Sequence, residues 1–155
     1  MHTTDYDLLI EQARAITAGE PDLIANLSNL SALVYEVLAD VNWVGFYLTR
    51  EPETLVLGPF QGKVACLRIP FGRGVCGTAA VTRETQRVVD VHQFEGHIAC
   101  DSASNSEVVV PLVVNDEVVG VFDLDSPSIG RFSEADAEGL SRFGRFVEQL
   151  NWRSL

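Results

Sequence analysis

Three cysteines, Cys66, Cys76 and Cys100, are the residues of this chain best suited to covalent chemistry, and they lie 10 and 24 positions apart. Cys100 stands in the run Gly96-His97-Ile98-Ala99-Cys100-Asp101-Ser102-Ala103-Ser104-Asn105-Ser106-Glu107, small, polar and turn-forming, which leads straight into an apolar segment at 108–114. A thiol on a loop fixed to a sheet edge is a positioned thiol, and chemistry concentrates on such loops. Carboxylates accompany it: Glu107 closes the run, and Asp123 and Asp125 end a later apolar segment two residues apart. Thiol redox chemistry needs a thiolate nucleophile, a second thiol within reach and an acid that protonates a leaving oxygen. Cys100 can be the first, Cys66 or Cys76 the second, and Glu107, Asp123 or Asp125 the third. Carboxylates that crowd one another out of water have raised pKa values, so one of them could hold a proton near neutrality while the others bind an ammonium group.

Two plainer readings of the cysteines stay open beside this one. Free cysteine is commonly a small core residue, a description that suits Cys66 best if it lies within a strand. A Cys3His zinc site from Cys66, Cys76, His97 and Cys100 would lack the close ligand pairs usual in structural zinc, because Cys66 and Cys76 are 10 residues apart. An odd number of cysteines speaks against a structural disulfide framework.

The elements that must position these groups follow from periodicity. Leu8, Leu9, Ala13 and Ile16 recur at helical spacing over 4–18, and Leu23, Leu27, Leu30, Val34 and Leu38 do so over 21–39. Residues 42–49 change to a period of two, which puts Trp43, Gly45 and Tyr47 on one face of a strand and Val44, Phe46 and Leu48 on the other. Two large rings flanking a glycine make an aromatic slot. Further strands are expected over 54–60, 66–70 and 87–91, with an irregular connection over 92–105. The glycine-rich stretch Phe71-Gly72-Arg73-Gly74-Val75-Cys76-Gly77-Thr78-Ala79-Ala80 runs into a short helix, whose first backbone N–H groups suit an anion such as a carboxylate. Glycines that simply permit a tight turn are the plainer alternative there. Segments 107–114 and 117–124 form a hairpin through Asn115-Asp116. In its second strand Val119, Val121, Asp123 and Asp125 are expected on one face, opposite Val118, Gly120, Phe122 and Leu124. Ser133 is the expected N-cap of a last helix whose buried stripe is Leu140, Phe143, Val147 and Leu150. The order predicts an α+β fold: one domain over 1–155, with an antiparallel sheet of about six strands, the N- and C-terminal helices on one face and the ligand-binding loops on the other.

Composition narrows the partners. The 155 residues carry a formal net charge of -11, so neither nucleic acid nor an anionic membrane is expected, and a small cationic or zwitterionic ligand fits better. The acidic, polar start and the lack of a long apolar run predict a cytoplasmic protein.

Asn42-Trp43-Val44-Gly45-Phe46-Tyr47, Leu57-Gly58-Pro59-Phe60-Gln61-Gly62, Cys66, Gly74-Val75-Cys76-Gly77-Thr78-Ala79, the run 96–107 and Asp123-Leu124-Asp125-Ser126 together resemble the free methionine-(R)-sulfoxide reductases, a family of GAF-domain enzymes. The resemblance spans nearly the whole chain. It implies reduction of the free amino acid: Cys100 attacks the sulfoxide sulfur, methionine leaves, and the resulting sulfenic acid is resolved by Cys66 as a disulfide that thioredoxin reduces, with no other cofactor. It makes Cys76 an auxiliary thiol, sets Trp43 and Tyr47 around the S-methyl end, and gives Glu107, Asp123 and Asp125 the ammonium and the sulfoxide oxygen. The backbone near Val75 and Cys76 is left for the carboxylate by the helix-start argument above. A non-catalytic GAF sensor of an amino acid or nucleotide is the alternative, since the fold alone does not imply catalysis. The two N-terminal helices leave room for a homodimer.

Overall fold

The computed structural model describes residues 3–96 and 103–155. Asp5 and Asp22 accept hydrogen bonds from the backbone N–H groups of Leu8 and Ala25, and so cap helices α1 (Tyr6–Thr17) and α2 (Leu23–Val37). The expected two-residue period appears in β1 (Trp43–Glu51), which pairs with β2 (Thr54–Gly62) and, on its other edge, with β6 (Glu117–Ser126). With β3 (Arg68–Pro70), β4 (Gln86–Val88) and β5 (Ser106–Val114), they form a six-stranded antiparallel sheet of order β3-β2-β1-β6-β5-β4. Helix α3 (Gly74–Thr82) follows β3, and α4 (Glu134–Val147) closes the fold. Ser133 caps α4 as expected, in a reciprocal capping box with Asp136. The architecture is the α+β arrangement that the sequence predicts. No helix among the described residues is long and apolar enough to cross a membrane.

The sheet's two faces have different work. On one, Val44, Phe46, Leu48, Val108, Val110, Leu112, Phe122 and Leu124 meet the apolar stripes of α1, α2 and α4 in the larger core. Phe122 stacks between Phe46 and Phe143, with centroids 4.8 and 5.3 Å away. On the other face Trp43, Tyr47, Val109 and Val121 pack with Val75, Cys76, Ala79 and Ala80 of α3. Covered by one short helix and by loops, that second face is where a ligand chamber can form.

Four details differ from the sequence reading. The strand expected over 66–70 begins at Arg68, so Cys66 precedes it and is half-buried; the buried free thiol is Cys76 instead. The strand expected over 87–91 is Gln86–Val88, because Asp90 accepts the His92 N–H and starts a 3-10 turn. The expected faces of Val118 and Val119 are exchanged. Leu112 pairs with Gly120 but Val113 with Val118, so β6 carries an extra residue there, and a bulge inverts the alternation on its far side. Leu150 packs half-buried against the larger core, but α4 ends at Val147. The hairpin turn is as expected: Asn115 and Asp116 have φ of 52° and 63°, the two left-handed positions that a type I′ turn requires.

Gly45 is needed by the packing on the α3 side of the sheet. A Cβ there would collide with Cβ of Phe60 and stand 2.8 Å from the Trp43 ring, with the Phe60 backbone itself at 2.9 Å. Because the obstruction includes main chain, a Gly45→Ala variant is expected to lose about 1–3 kcal/mol of stability, measurable as a lower denaturant midpoint at unchanged slope.

Candidate active site

The register of three strands assembles the acidic groups. Glu107 of β5 lies opposite Asp125 of β6, which lies opposite Trp43 of β1. One row further along, Val109 faces Asp123, and Asp123 faces Gly45. Residues directly opposite in antiparallel strands share a face, so the indole and all three carboxyl groups project to the α3 side. Gly45, having no side chain, lets Phe60 and the Trp43 ring close in beside Asp123.

A cavity on this face is lined by Trp43, Tyr47, Val75, Cys76, Glu107, Asp123 and Asp125, which brings these expected site residues together, whereas Cys66 lies beside the cavity lining and not in it. Trp43 is 3% exposed and is sandwiched between Tyr47 and Phe60, with centroids at 5.9 and 5.2 Å. Its Nε1 donates to the Lys63 carbonyl at 3.1 Å, while the Tyr47 hydroxyl donates to the Cys66 carbonyl at 2.9 Å. Both rings therefore wall the chamber and hold the segment that carries Cys66. Cys66 is disulfide-bonded, and Cys76 is a free thiol. Cys100 and His97 lie outside the described residues.

Electrostatics inside the chamber follow from burial. Burial raises the Asp123 carboxyl to about 8, helped by the charge of neighbouring Asp125. Glu107 is pushed well above the ordinary carboxylate range, first by burial and then by the charge of Asp123. The Cys76 thiol donates to Asp123 Oδ2 at 3.5 Å, and burial together with the surrounding carboxylates drives its pKa well up. Cys76 is thus held protonated and is a poor nucleophile. The Tyr47 hydroxyl is likewise kept neutral by burial and by Asp123. Near neutral pH the site holds protons on oxygen and sulfur, ready for a leaving oxygen, and Asp123 Oδ1 is buried with no hydrogen-bond partner.

Ligand atoms of Cys76, Glu107 and Asp123 lie within 4.8 Å of one another, close enough to surround one cation. The zinc set considered from the sequence is different, and Cys66, being in a disulfide, has no thiolate to offer it. Two polar cavity residues escaped the sequence reading. Ser104 is 8% exposed with an unpartnered hydroxyl, and Arg73 stands at the N-cap of α3. The signal for Arg73 was a cation between two glycines at a helix start; Ser104 carried none beyond its nearness to Glu107.

Residues 22–150 match the GAF domain family. The free methionine-R-sulfoxide reductase of Escherichia coli strain K12 is 55% identical over 148 residues, 96% of this chain and 89% of that protein. That of Saccharomyces cerevisiae is 47% identical, over 91% of this chain and 82% of that protein. The X-ray structure of free methionine-R-sulfoxide reductase from Neisseria meningitidis in complex with its substrate superposes with a TM-score of 0.92 at 42% identity, covering 99% of this chain and 95% of that one. With this sequence identity along almost its full length and the same fold around an acid-lined chamber, the chain belongs to the GAF-domain family and, within it, to the free methionine-R-sulfoxide reductases.

Proposed function

We propose that this protein reduces free L-methionine (R)-S-oxide to L-methionine by thiol chemistry, and that thioredoxin restores its thiols. The observation that carries the reading is the convergence of buried, protonated carboxyl groups with an indole wall in one chamber. The Cys100 thiolate attacks the sulfoxide sulfur, and protons delivered from Glu107 or Asp123 let the oxygen pass to Cys100 as a sulfenic acid while methionine leaves. Cys66 then attacks the sulfenic sulfur, forming the Cys66–Cys100 disulfide and releasing water. A thioredoxin dithiol takes over the disulfide in the last exchange. The disulfide-bonded state of Cys66 and the free, protonated state of Cys76 support Cys66 as the resolving thiol. Val64 and Leu67, 87% and 65% exposed beside Cys66, give a reductant an apolar surface to dock on.

Substrate groups are divided by charge. Asp125, beside the protonated Glu107 and Asp123, holds the ammonium, Trp43 and Tyr47 enclose the S-methyl group, and the N–H groups of Val75 and Cys76 at the start of α3 face the carboxylate. A non-catalytic sensor has no use for a disulfide beside its ligand chamber. The protein is placed in the cytoplasm, where thioredoxin keeps thiols reduced. Exposed Leu8, Ile16 and Ile24 on α1 and α2 support a homodimer, which light scattering of the purified protein tests.

With dithiothreitol, the protein is expected to consume the R epimer of the free sulfoxide and leave the S epimer. Cys100→Ser abolishes methionine release. Cys66→Ser still releases one equivalent per chain but loses turnover coupled to thioredoxin, and Cys76→Ser keeps its rate within a few-fold. Continued release by Cys100→Ser would remove that residue from the reaction.

The proton donors set a pH limit. Asp123 loses its proton as pH rises through about 8, so kcat/KM is expected to decline above that value, and a profile still rising there would contradict the assignment. Stability runs the same way. In the unfolded chain Asp123 ionises near its ordinary 3.8, so between there and about 8 the folded state holds a proton that the unfolded state has lost, and stability declines as pH rises through this window. An Asp123→Asn variant escapes that penalty. It is expected to be at least about 1 kcal/mol more stable at pH 8, or roughly 2–4 °C in Tm, while losing at least tenfold in kcat/KM.

A further inference from the structure

The Cys76 thiol is a reactive group of the chamber that the proposed reaction does not use. It is the free thiol among the described residues, it is buried, and it comes from the first turn of α3, whereas the carboxyl groups of Glu107 and Asp123 beside it come from β5 and β6. Three elements thus bring one sulfur and two oxygens to within 4.8 Å of one another. A divalent ion of the zinc class bonds sulfur at about 2.3 Å and carboxylate oxygen at about 2.0–2.2 Å, which sets neighbouring ligand atoms about 3.4–3.6 Å apart around a tetrahedral centre. The edge from Cys76 Sγ to Asp123 Oδ2 already measures 3.5 Å. A second observation points to a guest independently of the cluster. Asp123 is 5% exposed and its Oδ1 is buried with no hydrogen-bond partner, as is the hydroxyl of Ser104 in the same cavity. Orphaned buried oxygens are costly unless something that enters the chamber completes them.

We propose that Cys76 Sγ and the carboxylates of Glu107 and Asp123 form a site for one thiophilic divalent cation of the zinc class, and that this cation excludes the substrate. The site stands on the geometry alone. The exclusion rests on the proposed reading of the chamber, in which the substrate ammonium comes to Asp125 beside the same two acids. The donor set chooses the ion. An ammonium or a magnesium ion asks for oxygen acceptors and gains nothing from a sulfur, while a thiolate beside carboxylates suits zinc or cadmium. On binding, whatever protons the three groups hold pass to water, and three anionic ligands surround two positive charges. A chain of formal net charge -11 draws in cations of every kind, so selectivity among them has to come from the sulfur.

The experiment titrates Cd²⁺ alone into the full chain with the Cys66 disulfide intact, which leaves Cys76 as the thiol of the described residues able to bind it. One Cd²⁺ per chain is expected, with an ultraviolet sulfur-to-metal charge-transfer band that Zn²⁺ displaces and a large excess of Mg²⁺ does not. Cys76→Ser loses the band. Asp123→Asn, which keeps the sulfur, weakens Zn²⁺ binding by at least the roughly tenfold that loss of even an outer hydrogen-bond partner of a metal site causes. A band that never forms, one that survives Cys76→Ser, or displacement by Mg²⁺ as readily as by Zn²⁺ would overturn the site. The exclusion is read in a single turnover by the pre-reduced chain after dithiothreitol is removed: Zn²⁺ lowers methionine release, added sulfoxide relieves the block, and Cys76→Ser needs about tenfold more Zn²⁺ for the same fractional loss. Release that Zn²⁺ leaves untouched would overturn the exclusion. Because the band is read without turnover, a chain that shows it and consumes no sulfoxide sinks the reductase reading alone, and a chain that consumes the sulfoxide without showing the band sinks the cation site alone.

Discussion

Glu107, Asp123 and Asp125 meet in a chamber from which water is largely excluded, so burial itself penalises their charged forms and their mutual repulsion, scarcely screened, adds to it. The groups respond by holding protons: Asp123 up to about pH 8, Glu107 well above its ordinary range, and the Cys76 thiol throughout. Such a cluster destabilises the fold that contains it and attracts whatever cation can enter. In the proposed reaction a substrate ammonium relieves the repulsion, a sulfoxide oxygen accepts the proton that burial and repulsion keep in place, and one unfavourable arrangement supplies both affinity and acid catalysis. The stability that offsets it lies on the opposite face of the same sheet, where Phe46, Phe122 and Phe143 stack beneath three helices.

Strand register decides whether the cluster exists at all. Glu107, Asp125 and Trp43 form one row across β5, β6 and β1, and a slip of one residue would turn the acids of β6 into the helical core and Phe122 and Leu124 into the chamber. The device that pins β5 to β6 is remote from the chemistry: the Asn115-Asp116 turn fixes the hairpin with two left-handed residues, and the bulge at its base sits between the turn and the site. From Gly120 onward the alternation runs undisturbed to Asp125. At the other end Asn105 holds the register from outside, donating its N–H to Ser126, accepting from the Val91 N–H and bonding Pro127 through its side chain.

Where one local rule governed a segment, the sequence was legible. The shared face of Asp123 and Asp125 follows from alternation, and so does that of Trp43 and Tyr47, because neither stretch is interrupted within itself. Val118 and Val119 were misplaced because a bulge depends on how two strands pair, which one strand's pattern does not contain. Cys66 lies outside the strand and core expected for it, and Cys76 is the buried thiol, for a related reason. The helix that begins at Gly74 packs its first turn against the sheet, which buries Cys76, and Cys66 lies in a connection that reads as strand only by composition. Ser104 and Arg73 sit in turn-forming runs that look solvated. Their place in the cavity is set by tertiary contacts, those of Asn105 beside Ser104 and of α3 behind Arg73, and no periodicity announces it.

Trp43 and Tyr47 join the chamber to the segment that carries Cys66. Each contributes an aromatic face to the chamber and a single polar hydrogen to the main chain of the connection between β2 and β3, Trp43 at Lys63 and Tyr47 at Cys66. That connection is also tied by the disulfide at Cys66 and by the Leu57 N–H, which donates to the Leu67 carbonyl at 2.9 Å, while the side chains of Val64 and Leu67 are largely exposed. The rings that wall the chamber are thus, through these two hydrogen bonds, also supports of the segment that carries Cys66, so the shape of the wall and the place of that sulfur depend on the same two side chains.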